Sequence, residues 1–231
     1  MTAIVFYDWP HSPFCMKVRK ILDMKGLDYR AVSPLGAGMK SVRRGGIGKV
    51  PAIELDGRLV VDSTDIAYAL DERFPAVPLL PPDVADRGRC HALEDWADES
   101  LYFVGLYFRW HDLEGRKPIP AAFGGSLTGR IAYRVYLRRI LGQLRGQGTS
   151  RKPPAHVRAD LERHLSAIDA MIEDRPFLLG AQPYLCDVAL WGQLEYLRRT
   201  PVGAAAMQPH AAALAYIRRV AALGAASTRD A

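Results

Sequence analysis

The sequence predicts an α/β domain on a mixed four-stranded sheet, followed by an all-helical domain. Three observations point there. Short apolar runs alternate with helical patterns through residues 1–75. A proline cluster follows at Pro75, Pro78, Pro81 and Pro82. After Asp83 the strand signals vanish and only long helical patterns remain. The division is therefore an N-terminal domain over 1–75, a semi-rigid proline-rich linker over 76–84 and a helical domain over 85–231.

Each element has a local reason. Ala3-Ile4-Val5-Phe6-Tyr7 reads as a first strand. Pro13 suits a first helical position, where its missing N–H costs nothing, so a basic amphipathic helix runs from Pro13 to about Lys25. A second strand covers Tyr29 to Val32, and a Gly-rich basic stretch, Pro34 to Gly48, reads as a loop or a poor short helix. Strands three and four flank Asp56-Gly57, a strong hairpin signal. Ile66, Ala67 and Leu70 recur at helical spacing from Ser63 to about Arg73, and Phe74-Pro75 stops that helix. Strand-helix-strand followed by strand-strand-helix gives a mixed sheet with helices on both faces. In the second half the helical patterns cover 84–113, 127–147, 154–174, 185–198 and 208–222.

Bulk properties exclude several classes. The chain has 231 residues, 49% hydrophobic and 24% charged, as an ordinary globular protein does. No uncharged apolar run is long enough to cross a membrane, and no secretory signal opens the chain. Cys15, Cys90 and Cys186 are odd in number and widely spaced, so no disulfide framework is expected and a reducing compartment is. No histidine or cysteine shows metal-ligand spacing, and no metal is expected. The net charge of +6 owes much to Arg130–Lys152, a segment with no acidic residue. Without a nucleic-acid-binding motif beside it, that segment reads as a solvated helix face rather than a nucleic-acid patch.

The chemistry concentrates at three places. Ser12-Pro13-Phe14-Cys15 joins a strand to a helix, where unpaired N–H groups and the positive end of the helix dipole would stabilise a thiolate. Ser12 offers a hydroxyl there, and Cys15 a thiol one turn further in. Val50-Pro51 enters a strand after Gly48-Lys49, a plausible place for a cis bond that would turn the Val50 backbone outward. Asp62-Ser63 opens a helix, with Ser63 as the expected N-cap and N–H groups suited to a carboxylate. The plain alternatives are that Ser12 and Ser63 only cap helices and that Lys49 is a loop lysine.

In this order and spacing, the three places resemble the thioredoxin-like domain of glutathione transferases. Ser12-Pro13-Phe14-Cys15 with Lys17-Val18-Arg19 is closest to the serine-type classes such as zeta and theta, and is similar to the Cys-Pro-Tyr-Cys turn of glutaredoxins with Ser12 in place of the first cysteine. Phe177-Leu178-Leu179-Gly180 and Pro183 to Leu190 resemble the family stretch before a buried helix. The resemblance implies a cytoplasmic homodimeric enzyme with glutathione as co-substrate. Ser12 would stabilise its thiolate for attack on a small apolar electrophile. Val50 and Pro51 would pair with its cysteinyl part, Lys49 would approach its glycyl carboxylate, and Asp62 and Ser63 would hold its γ-glutamyl ammonium and carboxylate. The aromatic stripe containing Phe103, Tyr107 and Trp110 would border the electrophile pocket; as a helical stripe it reads equally as core.

Two rivals compete with Ser12. Cys15 would make the protein a thiol oxidoreductase or isomerase. Tyr7 ends the first strand, where some classes carry a catalytic tyrosine. A third reading is a non-catalytic binding module of the same fold. Two departures from the family pattern bear on these. Gly45-Gly46 stands where Asn-Pro is usual, which predicts weaker glutathione binding. Tyr184 stands where Ser or Thr is usual, so Asp187 is expected to lack its capping-box partner.

Overall fold

The computed structural model describes residues 4–34, 40, 42 and 48–224. Ala3, Gly45-Gly46 and most of the Pro34–Gly48 stretch lie outside the described residues. Strand β1 (Ile4–Tyr7) leads into α1 (Pro13–Met24), then β2 (Tyr29–Val32), β3 (Ala52–Leu55), β4 (Arg58–Val61) and α2 (Ser63–Arg73). The four strands form one sheet in the order β2-β1-β3-β4. β1 pairs parallel with β2 and antiparallel with β3, and β3 pairs antiparallel with β4. The mixed sheet expected from the element order is therefore present, and it fits the thioredoxin-like domain that the resemblance implies. Central strands β1 and β3 are mostly buried, whereas edge strands β2 and β4 are partly exposed. Asp56 (φ 50°) and Gly57 (φ 77°) both take positive φ, as the tight β3-β4 hairpin requires.

Further on come α3 (Val84–Asp95), α4 (Tyr102–Leu106), α5 (Leu113–Arg116), α6 (Leu127–Gln147), α7 (Pro154–Ile172), α8 (Leu185–Arg198), α9 (Pro201–Ala206) and α10 (Ala211–Ala221). The first predicted helix is interrupted: Trp96–Leu101 and Tyr107–His111 are wound as π-helix. Bulky aromatics crowd this region, and π-turns accommodate such local misfits. α6 and α8 have the predicted bounds. Ser126 caps the start of α6 and left-handed Gly148 (φ 116°) ends it. α9 was not foreseen; Thr200 caps it and Pro201 opens it.

The residues group into two compact units. One contains the described residues through Glu94, together with Arg175–Gly192 and the described residues from Tyr216 onward. The other contains Asp95–Asp174 and Gln193–Ala215. Within the first unit the proline-rich connection is pinned in place. Leu79 is buried, its N–H donates to Asp71 Oδ1 (2.9 Å), and its carbonyl accepts from Leu185 N–H (2.8 Å). Lys25 Nζ holds the same stretch through the carbonyls of Phe74 (2.8 Å) and Val77 (2.6 Å).

One capping expectation is corrected, and a second is offset by other partners. The N-cap of α2 is Asp62, whose side chain accepts from Thr64 N–H at 2.9 Å; Ser63 is the first helical residue. At α8, Asp187 is better served than its missing Ser or Thr implies. Its carboxylate still reaches back to Tyr184 N–H (2.9 Å), and it also accepts from Leu178 N–H (2.8 Å) and Tyr216 Oη (2.9 Å). Burial nevertheless raises the Asp187 pKa above the ordinary carboxylate value.

Candidate active site

Register gathers the three chemical places. Tyr7 pairs with Ala52, and Ala52 pairs with Val61. The residues after Tyr7, before Ala52 and after Val61 therefore leave the sheet at one end. They are the turn to Ser12, the Val50-Pro51 bond and the Asp62-Ser63 start of α2. The Val50-Pro51 bond is cis. Val50 is half-buried, Pro51 buried and Lys49 exposed.

Ser12 sits at the start of α1 in extended backbone (φ −89°, ψ 127°). Its N–H closes the preceding turn onto Trp9 O at 2.9 Å, and its Oγ accepts from Cys15 N–H at 3.3 Å. Capping uses a lone pair of the hydroxyl, so the hydroxyl proton remains a donor. The capping reading and the thiolate reading are thus compatible. Ser12 is half-buried, with exposed Pro10 and His11 before it.

The two rivals are held differently. Cys15 is fully buried, and its Sγ accepts from Trp9 N–H at 3.4 Å. Burial pushes its thiol up to about 12, more than the hydrogen bond from Trp9 lowers it. A reactive cysteine needs the opposite environment. Tyr7 is buried against Val42 and Ala52, and its hydroxyl donates to Glu54 Oε1 at 2.5 Å.

Asp62 is exposed and takes φ 76°, ψ 138°, a strained conformation for a residue with a side chain. Such strain of about 1–3 kcal/mol gathers at ligand clamps. Ser63 is buried, and its Oγ lies 3.5 Å from Lys17 Nζ. Lys17, which the sequence offers only within the Lys17-Val18-Arg19 run, packs beside them. It is 1% exposed, ion-pairs with Glu94 of α3 and donates to Thr64 Oγ1 at 3.2 Å; Thr64 Oγ1 in turn donates to Glu94 Oε1 at 2.5 Å. The available sequence signal was a lysine among the apolar residues of α1, between Met16 and Val18.

Other members of the first unit brace α1. Arg19 pairs with Asp8 through contacts of 2.5–3.2 Å. A Cβ on Gly192 of α8 would lie 2.9 Å from Pro13 O, so only glycine allows that approach. Lys20 Nζ donates to the Ala221 and Leu223 carbonyls (2.8 and 3.0 Å) just past α10.

The aromatic candidates belong to the second unit and are buried there. Phe103, Tyr107 and Trp110 are 8%, 4% and 7% exposed. Trp110 Nε1 donates to Tyr196 Oη at 3.0 Å, and Tyr107 stacks on His111 with centroids 4.6 Å apart. No cluster of three or more potential metal ligands occurs among the described residues, and no helix there is long and apolar enough to cross a membrane.

Comparison with known proteins fits this arrangement. The family model described as Glutathione S-transferase, N-terminal domain, matches residues 6–78, and that of the C-terminal domain matches residues 137–219. The isoprene-epoxide–glutathione S-transferase of Rhodococcus sp. (strain AD45) is 26% identical over 220 residues, covering 90% of this chain and 91% of that protein. A maleylacetoacetate isomerase of Pseudomonas aeruginosa is 27% identical over 240 residues, covering 95% of this chain and 90% of its own length. The maleylacetoacetate isomerase of Anaeromyxobacter dehalogenans 2CP-1, solved with bound dicarboxyethyl glutathione and citrate in the active site, superposes with a TM-score of 0.58. It is 26% identical, and the match covers 98% of this chain and 94% of that one. With both halves of the chain matched and the relatives aligned over nearly its full length, the protein belongs to the glutathione S-transferase family.

Proposed function

We propose that this chain is a glutathione transferase in which Ser12 stabilises the glutathione thiolate for attack on a small apolar electrophile. The observation that carries the reading is the Ser12 hydroxyl, poised at the helix start with its proton still available to an acceptor. The bound thiol loses its proton to solvent. The resulting thiolate accepts from Ser12 Oγ–H and attacks carbon; a C–S bond forms, and the electrophile's leaving group or opened oxygen carries away the electron pair. Ser12 remains protonated throughout. Val50 and Pro51 line the peptide's cysteinyl part and Lys49 faces its glycyl end. Asp62 meets the γ-glutamyl ammonium, and Ser63 meets the carboxylate. Phe103, Tyr107 and Trp110 are the apolar residues assigned to the electrophile side. The protein acts in the cytoplasm as a homodimer.

A named relative supports a second outcome at the same thiolate. The Pseudomonas protein similar to this chain is a maleylacetoacetate isomerase. Addition of the thiolate to a double bond, rotation and expulsion would give isomerisation with no change in the site. The Cys15 route is disfavoured because the thiol is buried and its pKa is raised to about 12.

The test compares Ser12→Ala with Cys15→Ser in chlorodinitrobenzene conjugation and in glutathione-dependent disulfide reduction. The reading expects conjugation to fall in the serine variant and to persist in the cysteine variant. The reverse pattern defeats it.

A further inference from the structure

We infer that Lys17 is a positioning residue that aims the Ser63 hydroxyl at the α-carboxylate of a γ-glutamyl ligand. This inference rests on the glutathione reading above and names the group that a buried ion pair serves within it.

Lys17 and Glu94 are both buried, at 1% and 5% exposure, and they pair with each other inside the first unit. Ion pairs are seldom placed so deep for stability, because desolvation offsets most of their attraction. The ammonium donates to Glu94 Oε1, Thr64 Oγ1 and Ser63 Oγ. Each has a consequence. Glu94 neutralises the charge and also accepts from Thr64 Oγ1–H. Thr64 spends its proton on Glu94 and its lone pair on Lys17, so its hydroxyl is fully committed. Ser63 differs: its Oγ lies 3.5 Å from Lys17 Nζ, a long contact, and its own proton is left for another acceptor. With its oxygen turned toward an ammonium, the hydroxyl is biased to act as a donor to the ligand. It suits a group that only accepts, such as an ionised carboxylate.

The surroundings favour the same ligand. Ser63 is the first residue of α2, an eleven-residue helix whose positive end and early N–H groups attract an anion. Asp62, exposed beside it, commits Oδ1 to Thr64 N–H and retains Oδ2 for a cation. An anion acceptor next to a cation acceptor fits the adjacent carboxylate and ammonium of an α-amino acid terminus. Lys17 itself is covered, so it acts through Ser63 rather than by touching the ligand.

The experiment measures binding by calorimetry for two peptides, glutathione and its analogue lacking the γ-glutamyl α-carboxylate. It uses the full chain, wild type and Lys17→Met combined with Glu94→Gln, which removes both charges and keeps an acceptor for Thr64. Wild type is expected to bind the analogue at least about tenfold more weakly than glutathione, as loss of a charged hydrogen bond implies. In the double variant the discrimination should collapse toward unity, because glutathione weakens while the analogue does not. If that variant fails to fold, Lys17→Met with Glu94→Met, an apolar pair of similar volume, carries the same expectation. Lys17→Arg, which keeps the charge and the donors, should restore most of the discrimination. A folded charge-free variant that still discriminates as wild type does overturns the inference and leaves the glutathione reading intact. Wild-type protein that binds neither peptide refutes that reading and the inference with it.

Discussion

Replacing Ser12 with alanine is the most direct perturbation of the proposed chemistry. The hydroxyl has two tasks that can be measured separately. As a cap it accepts from Cys15 N–H at 3.3 Å, a long bond at a half-buried site, so its loss should cost about 1 kcal/mol of stability. As a donor to a thiolate it makes a hydrogen bond to a charged group, worth about 1.5–3 kcal/mol. At about 1.36 kcal/mol per pKa unit, the bound thiol should titrate about 1–2 units higher in the variant. At pH below both pKa values the thiolate fraction, and with it the conjugation rate, should fall about 10- to 100-fold, and by less nearer neutrality. The sign follows from which state is stabilised: the hydroxyl favours the ionised sulfur, so wild type reaches its plateau rate at lower pH. Above both pKa values the two rates should draw together. Ultraviolet absorbance of the bound thiolate against pH gives the titration, the pH–rate profile gives the kinetics, and thermal melting gives the cap. Ser12→Thr keeps both cap and donor and should stay close to wild type. An alanine variant with an unshifted titration and full turnover would refute the mechanism.

Four further expectations follow from the same structure. Cys15 in the folded protein should resist thiol-modifying reagents at neutral pH and react on unfolding; because burial pushes its pKa from an ordinary 9.0 up to about 12, stability should decline as pH rises through that window, and Cys15→Ala should flatten the decline in melts taken across it. Asp62→Ala keeps the φ 76° strain but loses the cap to Thr64, so it should lower stability by about 1 kcal/mol; Asp62→Gly should cost less, because glycine adopts that φ freely, and chemical denaturation would rank the two. Asp187→Asn sets an amide NH2 among three donors and should destabilise by about 1–3 kcal/mol, read by the same denaturation. Lys17→Met alone strands a buried carboxylate and should cost about 3–5 kcal/mol, with most of that recovered when Glu94 is also neutralised.

Local signals were readable wherever one segment contained its own cause. Asp56-Gly57 dictated a hairpin, the helical pattern over 127–147 gave a helix its bounds, and Ser12-Pro13 opened one. The three chemical places were visible as motifs, and strand register is what brings them to one end of the sheet. Features made by distant segments were not readable. Lys17 meets Ser63 and Glu94, 46 and 77 residues away, and nothing in α1 alone says that a lysine on its buried side has found a carboxylate. Asp187 draws a donor from Tyr216, which no spacing rule anticipates. The cap of α2 fell one residue early because Asp62 accepts a left-handed φ that sequence reasoning assigns to glycine.

The helix that carries Ser12 is completed by segments far along the chain. Gly192 lies against Pro13, the Ala221 and Leu223 carbonyls receive Lys20, and Gly224 approaches the backbone of Asp23 and Met24. That side of the first helix therefore stays uncovered during synthesis until partners as far as 203 residues along the chain have been made. A fragment ending after the first four strands would present that bare surface to its neighbours, and a cut just before Ala221 would be felt at α1.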